Sequence, residues 1–232
     1  MVRNSDLKRQ ALDGLSYKAG KAIGAGILLY VIIFLIIIVL SIFTILLAYP
    51  SDLLLSALDE EGFAGLIMVG IGYIICYTFF MPLFAGTSWM YLHLIRKEHT
   101  SVALMFTSFK YFPKLFAFGV IRLVLVALWS LLLIIPGILK YYSYSQTVYI
   151  LRDEPDLSAM EAISESKRRM QGNRGKLFYL QLSFVGWYLL ASITTFGLIF
   201  TYPYYKAARA SFYEAYIKRE DANDMEEQSR FS

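Results

Sequence analysis

The chain has 232 residues, 57% of them hydrophobic, 16% aromatic and only 17% charged, with a mean hydropathy of +0.52. That is more apolar surface than a water-soluble domain hides, so the composition indicates a polytopic membrane protein. The net charge of +4 does not indicate nucleic acid as a partner, because the basic residues sit in short clusters that flank apolar runs, as they do at cytoplasmic membrane edges.

In chain order, Ser5 is placed to cap a short amphipathic surface helix carrying Leu7, Ala11 and Leu12, with Gly14 as its stop. Ile23 to Ala48 is apolar almost throughout and longer than the roughly 20 residues a span needs. It is too long for a signal-peptide core and reads as an uncleaved first span. Gly20 and Gly24 have the GxxxG spacing of a helix contact. The acidic segment 49–62, with Asp52, Asp59, Glu60 and Glu61, leads into a second span from Phe63 to about Leu94. There is no Lys or Arg from 22 to 95, so the charge rule puts the acidic loop outside and both flanks inside. Cys76 lies in this apolar run and, as the lone cysteine, has no partner for an intrachain disulfide. His93, Glu98 and His99 lack the one-face spacing of a metal site, so no metal ligand and no cofactor is assigned.

After the basic cluster Arg96–Lys97, a cap at Thr100–Ser101 and a stop at Pro113 bracket a connector helix with Leu104, Met105 and Phe109. Leu115 to Ile135 makes a third span. A single crossing here would put Arg152, Lys167, Arg168, Arg169, Arg174 and Lys176 outside. A hairpin turn at Pro136–Gly137 returns them to the cytoplasm through a short, polar fourth span from 137 to about 151. Ser158 to Glu161 is a capping box, opening a helix with Ala159, Met160, Ile163 and Met170 on its apolar side and an end near Gly172. Leu177 to Tyr205 is flanked by basic residues on both sides, which calls for a turn near Thr194–Gly197 and for spans five and six. The tail 220–232 is acidic and poor in apolar residues, and reads as disordered.

The expected architecture is all-α: one membrane domain over 1–219, with six spans as three hairpins joined by amphipathic cytoplasmic helices. Trp129…Gly137…Tyr142 and Tyr144 echo Trp187…Gly197…Tyr202 and Tyr204, and MPLFAGTSWMYLHLIRKE from Met81 echoes YPYYKAARASFYEAYIKR from Tyr202. These echoes suggest internal repeats over 5–98, 100–152 and 158–219.

Several segments carry a family resemblance: LWSLLLIIPGILKYYSYS, YILRDEPDLSAMEAI, SKRRMQG, KLFYLQLSFVGW and YPYYKAARASFYEAY. From Gly86 onward the chain resembles a bacterial integral membrane family known as domain of unknown function 975. Its layout is similar to that of YciC-like membrane proteins and of the membrane domain that precedes some glycerophosphodiester phosphodiesterases. The resemblance implies a bacterial cytoplasmic membrane and a lipid neighbourhood. It implies no catalytic residues.

Spans one to five contain no Asp or Glu, which argues against an enzyme. They and the sixth do contain cations. Arg122 and Lys140 are placed to snorkel, whereas Lys206 and Arg209, one turn apart after Pro203, are candidates to contact an anionic lipid. Tyr141, Tyr142, Tyr144 and Gln146 make the fourth span the most polar, to be buried for inter-helix hydrogen bonds or around a cavity. The expected function is that of a non-enzymatic membrane accessory or lipid-associated module, with membrane lipids as partners. The alternative is a small transporter or lipid-handling carrier.

Overall fold

The computed structural model describes residues 3–48, 60–193 and 197–218, and among them there is no strand. The expected outer loop at Asp52 and Asp59, the expected turn at Thr194–Phe196 and the tail 220–232 lie outside the described residues. Eleven α-helices follow in order: α1 (Asn4–Tyr17), α2 (Ala19–Ala48), α3 (Glu60–Phe79), α4 (Met81–Ile95), α5 (Leu104–Thr107), α6 (Phe112–Leu132), α7 (Ile134–Ser143), α8 (Thr147–Asp153), α9 (Ala159–Arg169), α10 (Arg174–Ile193) and α11 (Gly197–Phe212). A 3₁₀ turn, Ser108–Tyr111, joins α5 to α6, and a π-helical turn, Tyr213–Lys218, extends α11. Three stretches are long and apolar enough to cross a membrane: Ala19–Ile42, Val69–Ile95 and Leu104–Leu132. The chain is a helical membrane protein.

Central to the bundle is α4, with thirteen of its fifteen residues buried. A helix apolar all round belongs inside, and α1, α2, α5, α6, α8 and α11 all pack on this one. Gly86 permits this, since a Cβ there would collide with the Met105 carbonyl of α5. In contrast, among its described side chains α2 buries only the narrow stripe Ala22, Ala25, Gly26 and Leu29 and leaves Phe34, Leu35, Val39 and Ile42 exposed for lipid.

Several boundaries differ from the sequence reading. Arg3, not Ser5, precedes α1, and Gly14 lies within that helix, where it packs on Ile95 instead of ending it. Gly20 and Gly24 meet no neighbour; the glycine of α2 that makes a contact is Gly26, against Pro203. The second span breaks at Phe80 into α3 and α4, with Pro82 in the first turn of α4. Pro113 likewise opens α6 instead of stopping the connector, because a missing N–H costs nothing in a first helical turn.

The third span ends at Leu133, whose extended backbone (φ −159°, ψ 141°) makes the break three residues before Pro136. Pro136 and Gly137 instead form the first turn of α7. Proline removes one of the orphan donors there, and Gly137 lets α7 run back along α6 with its backbone against Ser130. The fourth span is not one helix. Ser143, Ser145 and Thr147 donate back to the carbonyls of Leu139, Tyr142 and Tyr144, and the chain turns there between α7 and α8.

The capping box of α9 is present: Ser158 Oγ accepts from the Glu161 N–H and Glu161 Oε2 accepts from the Ser158 N–H at 2.7 Å. Met160 is 53% exposed and does not belong to the apolar side, which Ala159, Ala162, Ile163 and Met170 form. Gly172 follows with φ +75°, a conformation that suits glycine. At the α10–α11 turn, Gly197 comes against the Ala191 backbone, and the two helices pair through Phe184, Tyr204 and Tyr205.

Candidate functional site

Two polar clusters form on this scaffold, one inside the bundle and one at its charged end. The inner cluster is organised by α11. Pro203 leaves one carbonyl of the preceding turn without its helical partner, and one turn further on Lys206 and Arg209 turn toward α4 and α8. Lys206 Nζ donates to Ser88 Oγ at 3.0 Å and lies 5.7 Å from the Tyr202 ring. Arg209 Nη2 donates to the Ser145 carbonyl at 3.1 Å, with the Tyr205 ring 5.9 Å away. Every one of these partners is neutral. Arg209 Nε is buried without a hydrogen bond, and so is Gln146 Oε1 in the adjoining turn. Arg209 and Arg122 both repel the Lys206 charge.

The four polar residues of the fourth span separate. Gln146 is fully buried and donates to Ser145 Oγ, while Tyr144 is buried beside it. Tyr142 is half-buried and donates to Gln181 Oε1 at 3.0 Å. Tyr141 does not join the interior: it is 40% exposed, with its ring 4.9 Å from the Arg122 guanidinium. Lys140 does not reach for the membrane edge alone but sits 4.4 Å above the Trp129 ring.

At the charged end, Arg96 closes the bundle. Its guanidinium takes Asp153 in a two-point grip (Nη1–Oδ1 2.8 Å, Nη2–Oδ2 2.6 Å) and donates from Nε to Glu214 Oε1 at 2.6 Å. The Tyr213 hydroxyl donates to Asp153 Oδ2 at 3.1 Å, and Tyr213 stacks on Tyr149. The ends of α4, α8 and α11 are thereby tied together. The π-helical turn brings Tyr213 and Glu214 into the cluster, a device frequent at functional sites. Burial pushes the Asp153 carboxyl up, but the Arg96 hydrogen bonds and charge outweigh it and hold the group below its usual range. Nearby, Arg169 is buried and paired with Glu154 and Glu165. His93 accepts from Arg152 at Nε2 and faces Glu98 through Nδ1, both at 2.7 Å, so its two nitrogens are engaged within the protein. Among the described residues, no three of His, Cys, Asp and Glu are grouped to hold a metal.

Sequence reading missed the Arg96 clasp, Ser88 and the Tyr213 stack. Their partners lie 57 to 118 residues apart, and no local spacing in the sequence joins them.

The clasp residues Asp153 and Glu214 and the cations Lys206 and Arg209 all fall in one segment that matches a family. Residues 118–220 match the family described as Protein of unknown function (DUF975). The family segment runs from within α6 to the end of the described chain, so it covers α7 to α11 but not α4. No curated protein and no solved structure matches the chain.

Proposed function

We propose that the protein is a non-enzymatic, lipid-associated module of a bacterial cytoplasmic membrane, which holds an anionic lipid head group between α4, the α7–α8 turn and α11. The observation that carries this reading is that Lys206 and Arg209 enter the bundle with only neutral partners. A hydroxyl and a carbonyl accept hydrogen bonds but do not neutralise two cations, whereas a phosphate does both. An apolar cavity of about 560 Å³, lined by Leu12, Ile23, Trp187, Leu190 and Phe200 among others, adds room for acyl chains against α1 and α2. Replacing Lys206 and Arg209 together with glutamine is expected to abolish co-purifying anionic lipid in native mass spectrometry. It should also lower stability in detergent, with added phosphatidylglycerol unable to restore it. Retention of the same lipid at the same stoichiometry would make the two residues interior structural groups only.

Six crossings with both termini cytoplasmic accompany this reading, the charged connectors at residues 96, 153 and 214 meeting at one end of the bundle. With Cys76 removed, a cysteine at Asp59 is expected to react with an impermeant thiol reagent from outside intact cells, and one at Ser158 only after permeabilisation. External labelling at 158 would replace six spans with four. A small transporter or lipid-handling carrier is the second reading, favoured by a groove of about 280 Å³ beside Arg122.

A further inference from the structure

Midway along α6, ten residues or about 15 Å from either end, stands Arg122. Its guanidinium packs 4.9 Å from the Tyr141 ring and 5.9 Å from the Phe118 ring. Aromatic faces offset the charge but accept little from N–H donors, which lie in the guanidinium plane. Among the described residues Arg122 makes no hydrogen bond to an acceptor and no ion pair. It lines the groove of about 280 Å³ that α6 forms with Tyr77 of α3, Met81 of α4 and Tyr141 of α7.

A charge at the centre of a span is costly and calls for an opposite charge at the same depth. Lipid phosphates lie at the ends of the span and do not supply it. Within the chain no mate is at hand: between Glu61 and Asp153 the only acidic residue is Glu98, which His93 holds near the charged end. A second copy of the chain would bring the same arginine to the groove and no carboxylate with it. Gly119, Arg122, Leu123, Val126 and Ala127 follow one another at steps of one, three and four residues along one face of α6, the spacing of a helix–helix seam. Tyr77, Val124 and Leu128 at its rim are exposed on the outside of the bundle. The groove has room for a few side chains, as a ridge of a neighbouring helix would insert them.

We infer that this groove is the docking seam for a transmembrane helix of a partner protein, one that carries an aspartate or glutamate near the middle of its span. The partner carboxylate takes the edge of the guanidinium, whose fork suits two oxygens, while the flanking rings hold its plane. The small residues Gly119 and Ala127 keep the seam low on either side of the pair, so the partner backbone comes close. This contact is independent of the lipid reading above.

The test places the full-length protein in phosphatidylcholine vesicles with a labelled synthetic transmembrane helix of leucine and alanine that has one glutamate at its centre, and reads association by energy transfer. Association with this helix is expected to be about tenfold tighter than with a helix carrying leucine there, and about tenfold weaker in Arg122→Gln than in the wild type. Arg122→Glu should reverse the preference, toward a helix with lysine at its centre. Glutamate moved about two turns toward the end of the helix should lose the gain, because the two charges no longer meet at one depth. A photoreactive residue beside the central glutamate should crosslink to the wild type within residues 119–127, a readout that stands if the Arg122 variants do not fold. Equal association of the glutamate and leucine helices, unchanged association in Arg122→Gln, or no crosslink in that stretch overturns the inference. Displacement of the helix by added phosphatidylglycerol assigns the groove to lipid and overturns it as well. So does loss in the Lys206 and Arg209 double variant with none in Arg122→Gln, which would seat the carboxylate on α11.

Discussion

Replacing Arg96 with methionine is expected to destabilise the protein by about 3 to 5 kcal/mol, because two partly buried carboxylates then lose their shared cation. The Arg96, Asp153 and Glu214 side chains are only 16%, 19% and 22% exposed, so water does little to replace the guanidinium. Adding Asp153→Asn and Glu214→Gln to the variant should recover part of the loss, since neutral groups cost less to leave unpaired. The pH dependence separates this cause from lost packing. Asp153 is held below the usual carboxylate range in the folded protein, so its contribution is present in full above about pH 4 and is lost as pH falls through the depressed value. The wild type should therefore weaken in acid, and the gap between it and Arg96→Met should narrow there as the orphaned Asp153 carboxyl takes up a proton. Thermal unfolding in detergent from pH 3 to pH 7 measures both effects. A gap that stays constant across this range would assign the loss to packing.

Gly86→Val is expected to prevent folding, and Gly86→Ala to cost about 3 kcal/mol, by forcing the α4 and α5 backbones apart. An added Cβ meets the Met105 carbonyl carbon at 2.7 Å and Ser108 Oγ at 2.6 Å, and backbone cannot swing away as a long side chain can. Moving α5 would also break the Ser108 hydroxyl bond to the Pro82 carbonyl, 2.7 Å in length. Gly20→Ala and Gly24→Ala serve as controls: with nothing within 4 Å and a helical backbone, both should be neutral or slightly stabilising. Monodispersity on size exclusion and the unfolding midpoint report the difference. Equal tolerance at positions 20, 24 and 86 would mean that α4 and α5 are not in contact.

The interior site is partly legible in the sequence. From Ser166 to Tyr213 there is no acidic residue, so Lys206 and Arg209 were visibly cations without local mates, and their spacing put both on one helical face. Their partners were not visible, because Ser88 and Ser145 are 118 and 64 residues away and neither carries a charge that sequence reading would flag.

Local chemistry in the sequence determined the helical class, the membrane setting, the Ser158 capping box and the family segment, because hydropathy, capping spacing and short motifs act over a few residues. The tertiary structure decided which helix is central, where the long apolar runs break and what each cation faces. Apolar runs are nearly uniform along their length, so nothing local says which face of α4 meets α5 or that α6 turns at Leu133 and not at Pro136. Those choices come from the close approach of backbones at Gly86 and Gly137 and from the convergence of Arg96, Asp153 and Glu214, which only the folded chain brings together.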